Sequence, residues 1–251
     1  EKWTDIMSLA PVALITGGAR RIGAEICRSL HAAGFNIAIH CRNSKEEALA
    51  LAATLNAARE NSASVHRADL SKQEDLLSLA ADIDKHWGRL DTLINNASSF
   101  YSTPLVSATL EQWDDLMSSN LKAPFFLAQT FATHLKNTHG CIINIADIHA
   151  DRPLSDHPIY CAAKAGNVML VKSLAKDMAP DVRVNGVAPG AILWPEDGMK
   201  ESDKQDMLGK IPLEKLGQAE DIARTVKFLV CDAPYISGQI LSVDGGRSVN
   251  H

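Results

Sequence analysis

No apolar run in the 251 residues approaches membrane-spanning length, which argues against an integral membrane protein. There is no excess of basic residues: a net charge of -5 argues against a dominant nucleic-acid footprint. The five cysteines, Cys27, Cys41, Cys141, Cys161 and Cys231, are odd in number, scattered and never in a C-x-x-C pair. That pattern suits a reduced, cytoplasmic protein. The nine histidines show no H-E-x-x-H or zinc-finger spacing. His149 and His157 flank a proline-containing loop and read as loop histidines before metal ligands. The start, EKWTDIMSLAP, lacks the basic head and long apolar centre of a secretory signal. Residues 1–10 read as an extension, either native or a remnant ahead of a true start at Met7.

The apolar content of 46% is that of a globular protein with a sizeable core. Strand and helix patterns alternate along it. Short apolar runs at Val12–Thr16, Phe35–His40, Ser64–Ala68, Leu90–Asn95, Cys141–Ala146, Val182–Val187 and Ile240–Val243 read as strands. Between them, Arg20–Ala33, Leu110–Lys136 and Pro158–Met178 read as helices. Ser44 with Glu47, and Ser71 with Glu74, have the capping-box spacing of two more, the second running to about Trp87. This alternation implies an α/β, Rossmann-like, doubly wound parallel sheet covered by helices on both faces. No linker divides it, so residues 11–251 are expected to form a single domain. The least regular stretch, about 189–212, reads as a surface loop or lid over substrate.

Thr16–Gly23, TGGARRIG, joins the first strand to the first helix. Glycines let the backbone turn tightly and approach a phosphate, and the helix start supplies free N–H groups. An NAD site places an acidic residue at the end of the second strand. Here that end reads His40-Cys41-Arg42-Asn43-Ser44, with no carboxylate until Glu46, and Arg20 and Arg21 lie beside the glycine turn. A guanidinium pairs with the extra phosphate that a carboxylate would repel, so NADPH is the expected cofactor. The alternative for Arg42 is a solvated loop residue.

Tyr160 and Lys164 are four apart and share a helix face. An ammonium beside a phenol is expected to lower its pKa and fit it for proton transfer. Thirteen residues ahead of Tyr160 stands Asp147. A serine hydroxyl there would donate to a carbonyl oxygen as charge develops, whereas a carboxylate would repel it. The aspartate suits orienting the tyrosine or protonating a ring nitrogen.

These pieces together resemble the short-chain dehydrogenase/reductase family over nearly the full length. They run in order: TGGARRIG from Thr16, Asp69-Leu70, NNA at Asn95–Ala97, Asn120, Tyr160-x-x-x-Lys164, RVNGVAPG ending at Gly190 and SVDGG ending at Gly246. More narrowly the chain resembles the pteridine reductases. It has Arg21 at the middle glycine position of the usual loop, NNASSFY at Asn95–Tyr101, and Asp147 in place of serine.

The resemblance implies NADPH-dependent reduction of dihydropterins, with dihydrofolate a further candidate, by a homotetramer. It implies that Thr16, Gly17, Ile22, Gly23 and Leu70 shape the cofactor site with Ala97 and Ser98. Asp69 would receive the adenine amino group and Asn96 would shape the channel. Pro189 and Gly190 would flank nicotinamide, and Lys164 would bind its ribose. Asn120 would link Lys164 to solvent through a water or a backbone group. Phe100 would stack on the pterin, and Ser98 and Arg21 would bind its polar edge, Arg21 directly or through cofactor phosphates. Core filling for Phe100 and a turn role for Ser98 are the alternatives. Trp194 would wall the substrate pocket or pack at a subunit interface. In the place where the wider family often has threonine, Ala191-Ile192-Leu193 follow Gly190. Two other functions compete: a carbonyl reductase acting on an acyl thioester, sugar or polyol, and a non-catalytic NADPH-binding sensor.

Overall fold

Side chains alternate across β1 (Val12–Ile15): Val12 and Leu14 enter one core cluster, and Ala13 and Ile15 enter another on the opposite face. A strand buried on both faces is the signature of a parallel sheet with two helical layers. The computed structural model describes residues 10–194 and 200–250. In it, β1, β2 (Asn36–Cys41), β3 (Ala63–Arg67), β4 (Thr92–Asn95), β5 (Cys141–Ile145), β6 (Arg183–Pro189) and β7 (Ile240–Val243) form one sheet. Every pairing is parallel, in the order β3-β2-β1-β4-β5-β6-β7. All seven expected strands are present within about two residues of their expected bounds. Most of the proposed N-terminal extension lies outside the described residues.

The order reverses between β1 and β4, so the crossovers part there and leave a crevice at their carboxyl ends. Helix α1 (Arg21–Ala32) follows β1 and buries Ile26 and Leu30. Helix α2 (Lys45–Ala58) begins after Ser44, but the Ser44 side chain makes no cap bond. Helix α3 (Gln73–Trp87) likewise lacks the expected box: Ser71 Oγ donates to Asp69 Oδ1 at 2.7 Å instead of capping.

The single helix expected over Leu110–Lys136 is broken. It divides into α4 (Leu110–Met117), a π-turn at Ser118–Lys122, α5 (Ala123–Thr130) and α6 (Ala132–Asn137). Pro124 is the local cause, since it has no N–H to give the Asn120 carbonyl four residues earlier. Such π-turns recur at functional sites. Helix α7 (Pro158–Asp177) carries Tyr160 and Lys164 toward the carboxyl end of β5.

The irregular stretch 189–212 is more ordered than expected. Its first residue ends β6, and α8 occupies Glu201–Gly209, where no proline interrupts and Lys204 pairs with Glu201 at 3.3 Å. Residues 195–199 lie outside the described residues. Helix α9 (Ala219–Cys231) has no counterpart in the sequence expectations. It buries Ile222, Ala223, Val226 and Leu229 in the core cluster that also holds Ile26 and Leu30 of α1. Among the described residues no helix is long and apolar enough to cross a membrane.

Candidate active site

The crevice at the carboxyl ends of β1, β2 and β4 is a cleft of about 420 Å³. It gathers Gly17, Arg20, Arg21, Ile22, Gly23, His40, Arg42, Asn43, Ser44, Asp69, Leu70, Asn96, Ala97 and Ser98 from separate parts of the chain. The glycine turn is held from both sides. Thr16 Oγ1 accepts the Asn96 and Ala97 N–H groups at 2.9 and 3.0 Å. Asn96 Nδ2 donates to the carbonyls of Thr16 (2.9 Å) and Gly17 (3.1 Å). Thr16 is buried, so its part is bracing. Leu70 is core, and Ile22 packs against core.

Gly23 shows how closely the turn and helix approach. A Cβ there would meet the Gly17 oxygen at 2.2 Å and Asn96 Nδ2 at 2.7 Å. Gly23→Ala should therefore push the turn outward. We expect a stability loss of about 1–3 kcal/mol by chemical denaturation and, by fluorescence titration, cofactor affinity down by about tenfold.

Arg21 adopts φ 50, the left-handed region where glycine is at ease. This is the position at which the wider family pattern has glycine. A non-glycine residue there costs about 1 kcal/mol, and the guanidinium stands exposed at the cleft beside those of Arg20 and Arg42. Arg21→Gly should raise unfolding stability by about 1 kcal/mol and weaken binding of a phosphorylated dinucleotide; an unchanged affinity would show that the side chain has no part in binding.

Asp69 keeps a carboxylate at the cleft. Its pKa is held below the usual range by the Ser71 hydroxyl bond first, against the effect of burial. Glu47, in the first turn of α2, approaches Arg20 at 3.9 Å. The cationic rim, the glycine turn and the positive end of the α1 dipole together fit a phosphorylated dinucleotide.

Beyond the cleft stands a second cluster. The Tyr160 hydroxyl donates to Asp147 Oδ2 at 2.6 Å, and Asp147 Oδ1 accepts the His149 N–H at 2.8 Å. Burial first, then the Asp147 charge and its hydrogen bond, drive the Tyr160 pKa upward. This reverses the expectation that Lys164 would lower it. Lys164 is itself buried, donates to the Ile145 carbonyl at 2.9 Å, and has its pKa pushed down to about 8 by burial, with Asp147 opposing. Its Nζ lies 5.7 Å from the Tyr160 ring centre.

Asn120 sits in the π-turn. Its Nδ2 donates to the Ser99 carbonyl at 2.9 Å, and its buried Oδ1 has no partner among the described residues. Its own carbonyl, which Pro124 cannot serve, accepts Asn167 Nδ2 at 2.7 Å. Asn144 Nδ2 donates to Asn167 Oδ1 at 3.0 Å, and Asn95 Nδ2 to Asn144 Oδ1 at 2.8 Å. This asparagine relay across β4, β5 and α7 was not foreseen. Its signals were polar residues inside apolar strands and Asn167 on the Lys164 face of the helix.

Phe100 is 56% exposed, so it is not core filling. Its ring meets Tyr160 edge-on at 4.8 Å and stacks on His157 at 4.9 Å with an interplanar angle of 12°. His157, read from sequence as a loop residue, thus belongs to this mouth. Ser98 is exposed at the rim. Pro189 ends β6 and Gly190 N–H donates to Val243 O at 3.0 Å, leaving both at the carboxyl edge of the sheet. Trp194 does not line the cleft; Lys204 of α8 lies 5.5 Å over its ring.

A family model described as enoyl-(acyl carrier protein) reductase matches residues 17–248. The chain belongs to the short-chain dehydrogenase/reductase family. It is 37% identical to a pteridine reductase 1 of Leishmania tarentolae over 96% of this chain and 97% of that protein. It is 34% identical to the 3-oxoacyl-[acyl-carrier-protein] reductase of Staphylococcus aureus over 96% and 99% of the two chains. The corresponding Staphylococcus epidermidis enzyme is 34% identical over 93% and 97%. This short-chain reductase is accordingly a nicotinamide-dependent oxidoreductase.

Proposed function

We propose that the protein reduces dihydropterins to tetrahydropterins with NADPH, dihydrofolate being a further candidate substrate. The observation that carries this reading is the Asp147 carboxylate bonded to the Tyr160 hydroxyl at 2.6 Å. An oxyanion forming beside that carboxylate would be repelled, whereas a ring nitrogen gaining negative charge can take a proton from the pair. Arg20, Arg21 and Arg42 support the extra phosphate of NADPH over NADH. Asp69, Asn43, Ser44, Asn96 and Ala97 complete the adenosine and channel contacts, and Pro189 and Gly190 flank the nicotinamide.

The bound cofactor supplies hydride. The protein holds the acceptor ring flat against it with the exposed Phe100, and Ser98 and Arg21 take the polar edge. Tyr160 keeps its proton at rest, because burial first, and then the Asp147 charge, disfavour a phenolate there. The acceptor nitrogen draws that proton from the hydroxyl directly or through water. The Lys164 charge offsets the negative charge left on the Tyr160–Asp147 pair, and Asn120 links Lys164 to solvent through a water or a backbone group. With Lys164 at about 8, turnover should fall as pH rises through that value and the ammonium is lost. A flat profile from pH 7 to 9 would remove this role.

The likeness to 3-oxoacyl reductases, at nearly the same identity, favours a second reading, reduction of an acyl-thioester ketone. NADPH oxidation with dihydrobiopterin, dihydromonapterin, dihydrofolate and an acetoacetyl thioester in parallel separates the two. Turnover confined to the pterins and folate supports the Asp147 argument; turnover of the thioester alone overturns it. Binding of NADPH without turnover of any of them would identify a sensor. The exposed apolar side chains Trp113 on α4, Phe125 on α5 and Met169 on α7 support a homotetramer. The five unpaired cysteines support a cytoplasmic setting.

A further inference from the structure

His40 carries a carboxyl-terminal position of β2 and is 2% exposed. Both of its ring nitrogens are engaged. Gly17 N–H donates to Nδ1 at 3.2 Å, and Nε2 lies 3.0 Å from the Ala68 carbonyl. An amide can only donate and a carbonyl can only accept, so the ring must carry its proton on Nε2. The main chain of the same residue holds the next amide: Gly18 N–H donates to the His40 carbonyl at 2.9 Å. Meanwhile Asn96 Nδ2 grips the Gly17 carbonyl from the other side. The Gly17 peptide, at φ +59, is thereby fixed at its nitrogen and its oxygen.

We propose that His40 is a positioning residue that templates the glycine turn, drawing the Gly17 and Gly18 amides inward so that the next amides, at the α1 start, face the cofactor phosphates. Its ring, with both nitrogens engaged, has no free nitrogen to offer a cofactor, so its contribution to the site is through the turn it holds. The inference rests on the reading of the turn as the dinucleotide site. The surroundings suit an uncharged ring. Burial is the largest influence and lowers the His40 pKa to about 4. His66, its register partner on β3, and Arg42 push the same way, while the Ala68 carbonyl bond and Asp69 oppose. An imidazolium could not accept from Gly17, so the turn would lose its inner tie.

Two substitutions separate the two ring bonds. In His40→Asn the side-chain oxygen can take the place of Nδ1 and accept from Gly17, but nothing reaches Ala68. In His40→Gln the longer amide reaches the Ala68 carbonyl and leaves Gly17 without its acceptor. The whole protein is used for two measurements, amide exchange at Gly17 by NMR without cofactor and NADP+ affinity by calorimetry at neutral pH. His40→Gln should raise Gly17 exchange and the NADP+ Kd by about tenfold or more. His40→Asn should keep Gly17 protected and its Kd within about threefold of wild type.

Equal losses in the two variants, or wild-type behaviour of His40→Gln, would overturn the proposal. A wild type that binds no NADP+ while Gly17 exchange follows the expected pattern would sink the dinucleotide reading and leave the template standing. If His40→Gln does not fold, 15N shifts of the wild-type ring decide: the Nε2–H tautomer is required, and an Nδ1–H tautomer overturns the assignment.

Discussion

Tyr160→Phe should lower kcat for a dihydropterin by roughly 10²–10⁴-fold and leave NADPH affinity within about twofold, because the hydroxyl it removes faces Asp147 and not the cleft that gathers the phosphate-binding residues. The loss belongs to the chemical step. The phenol is the group placed to deliver a proton, and its ring, 4% exposed, also supports Phe100 edge-on at 4.8 Å. Phenylalanine keeps that contact, so the substitution isolates the hydroxyl. Asp147→Ser should also cost turnover on pterins, through the lost carboxylate acceptor for Tyr160, while serine can still cap the short turn at Ile148–Ala150. Serine restores the donor that a carbonyl oxygen needs, so this variant should gain relative activity on an acetoacetyl thioester. Stopped-flow single turnovers with saturating NADPH read both effects without product release. Normal single-turnover rates in both variants would remove the pair from the mechanism.

Acid should weaken the fold through His40 before it reaches the carboxylates. The folded-state value is lowered to about 4 from an ordinary 6.5, so the unfolded chain binds the extra proton first. His40 therefore adds its full stabilisation above about pH 6.5, and this is lost as pH falls through the window down to about 4. The shift corresponds to about 3 kcal/mol for a group this deeply buried. His31 and His66 are lowered in the same direction and contribute within the same window. Asp69 and Asp244 are held below their ordinary 3.8, so their contributions are lost only at lower pH. Comparing wild type with His40→Asn cancels the contributions of His31 and Asp244, which are not among the groups acting on His40, and most of those of His66 and Asp69. Urea unfolding at pH 7.5 and 4.5 should show wild type losing about 2–3 kcal/mol more than the variant. Equal losses would mean that His40 titrates in the folded protein as it does in the unfolded one.

The sheet and the glycine turn were legible in the sequence because their signals are local. A run such as Val12–Ile15 ending at Gly17 and Gly18 announces a buried strand and a tight turn without reference to anything distant. The pairing of Tyr160 with Lys164 follows from helix periodicity, and Asp147 was recognisable by its spacing. The bond from Tyr160 to Asp147 was expected, but the direction of the Tyr160 shift was not. Burial sets that direction, and burial is a property of the folded chain. The broken helix at 118–122 escaped because apolar periodicity runs straight through it. Pro124 was a visible warning, but the π-turn also depends on partners more than forty residues away, such as Asn167. His157 could not be tied to Phe100 by any local pattern. Helix α9 is a different case, since Ile222, Ala223, Val226 and Leu229 have helical spacing and its start was open to recognition.

The carbonyl that Pro124 leaves to Asn167 couples two positions forty-three residues apart. Anyone recombining this protein with a relative should move them together. A crossover between them that brings in an apolar residue at 167 would strand the buried Asn120 carbonyl oxygen. The resulting chimera would have its damage centred on the catalytic helix, far from the junction that caused it.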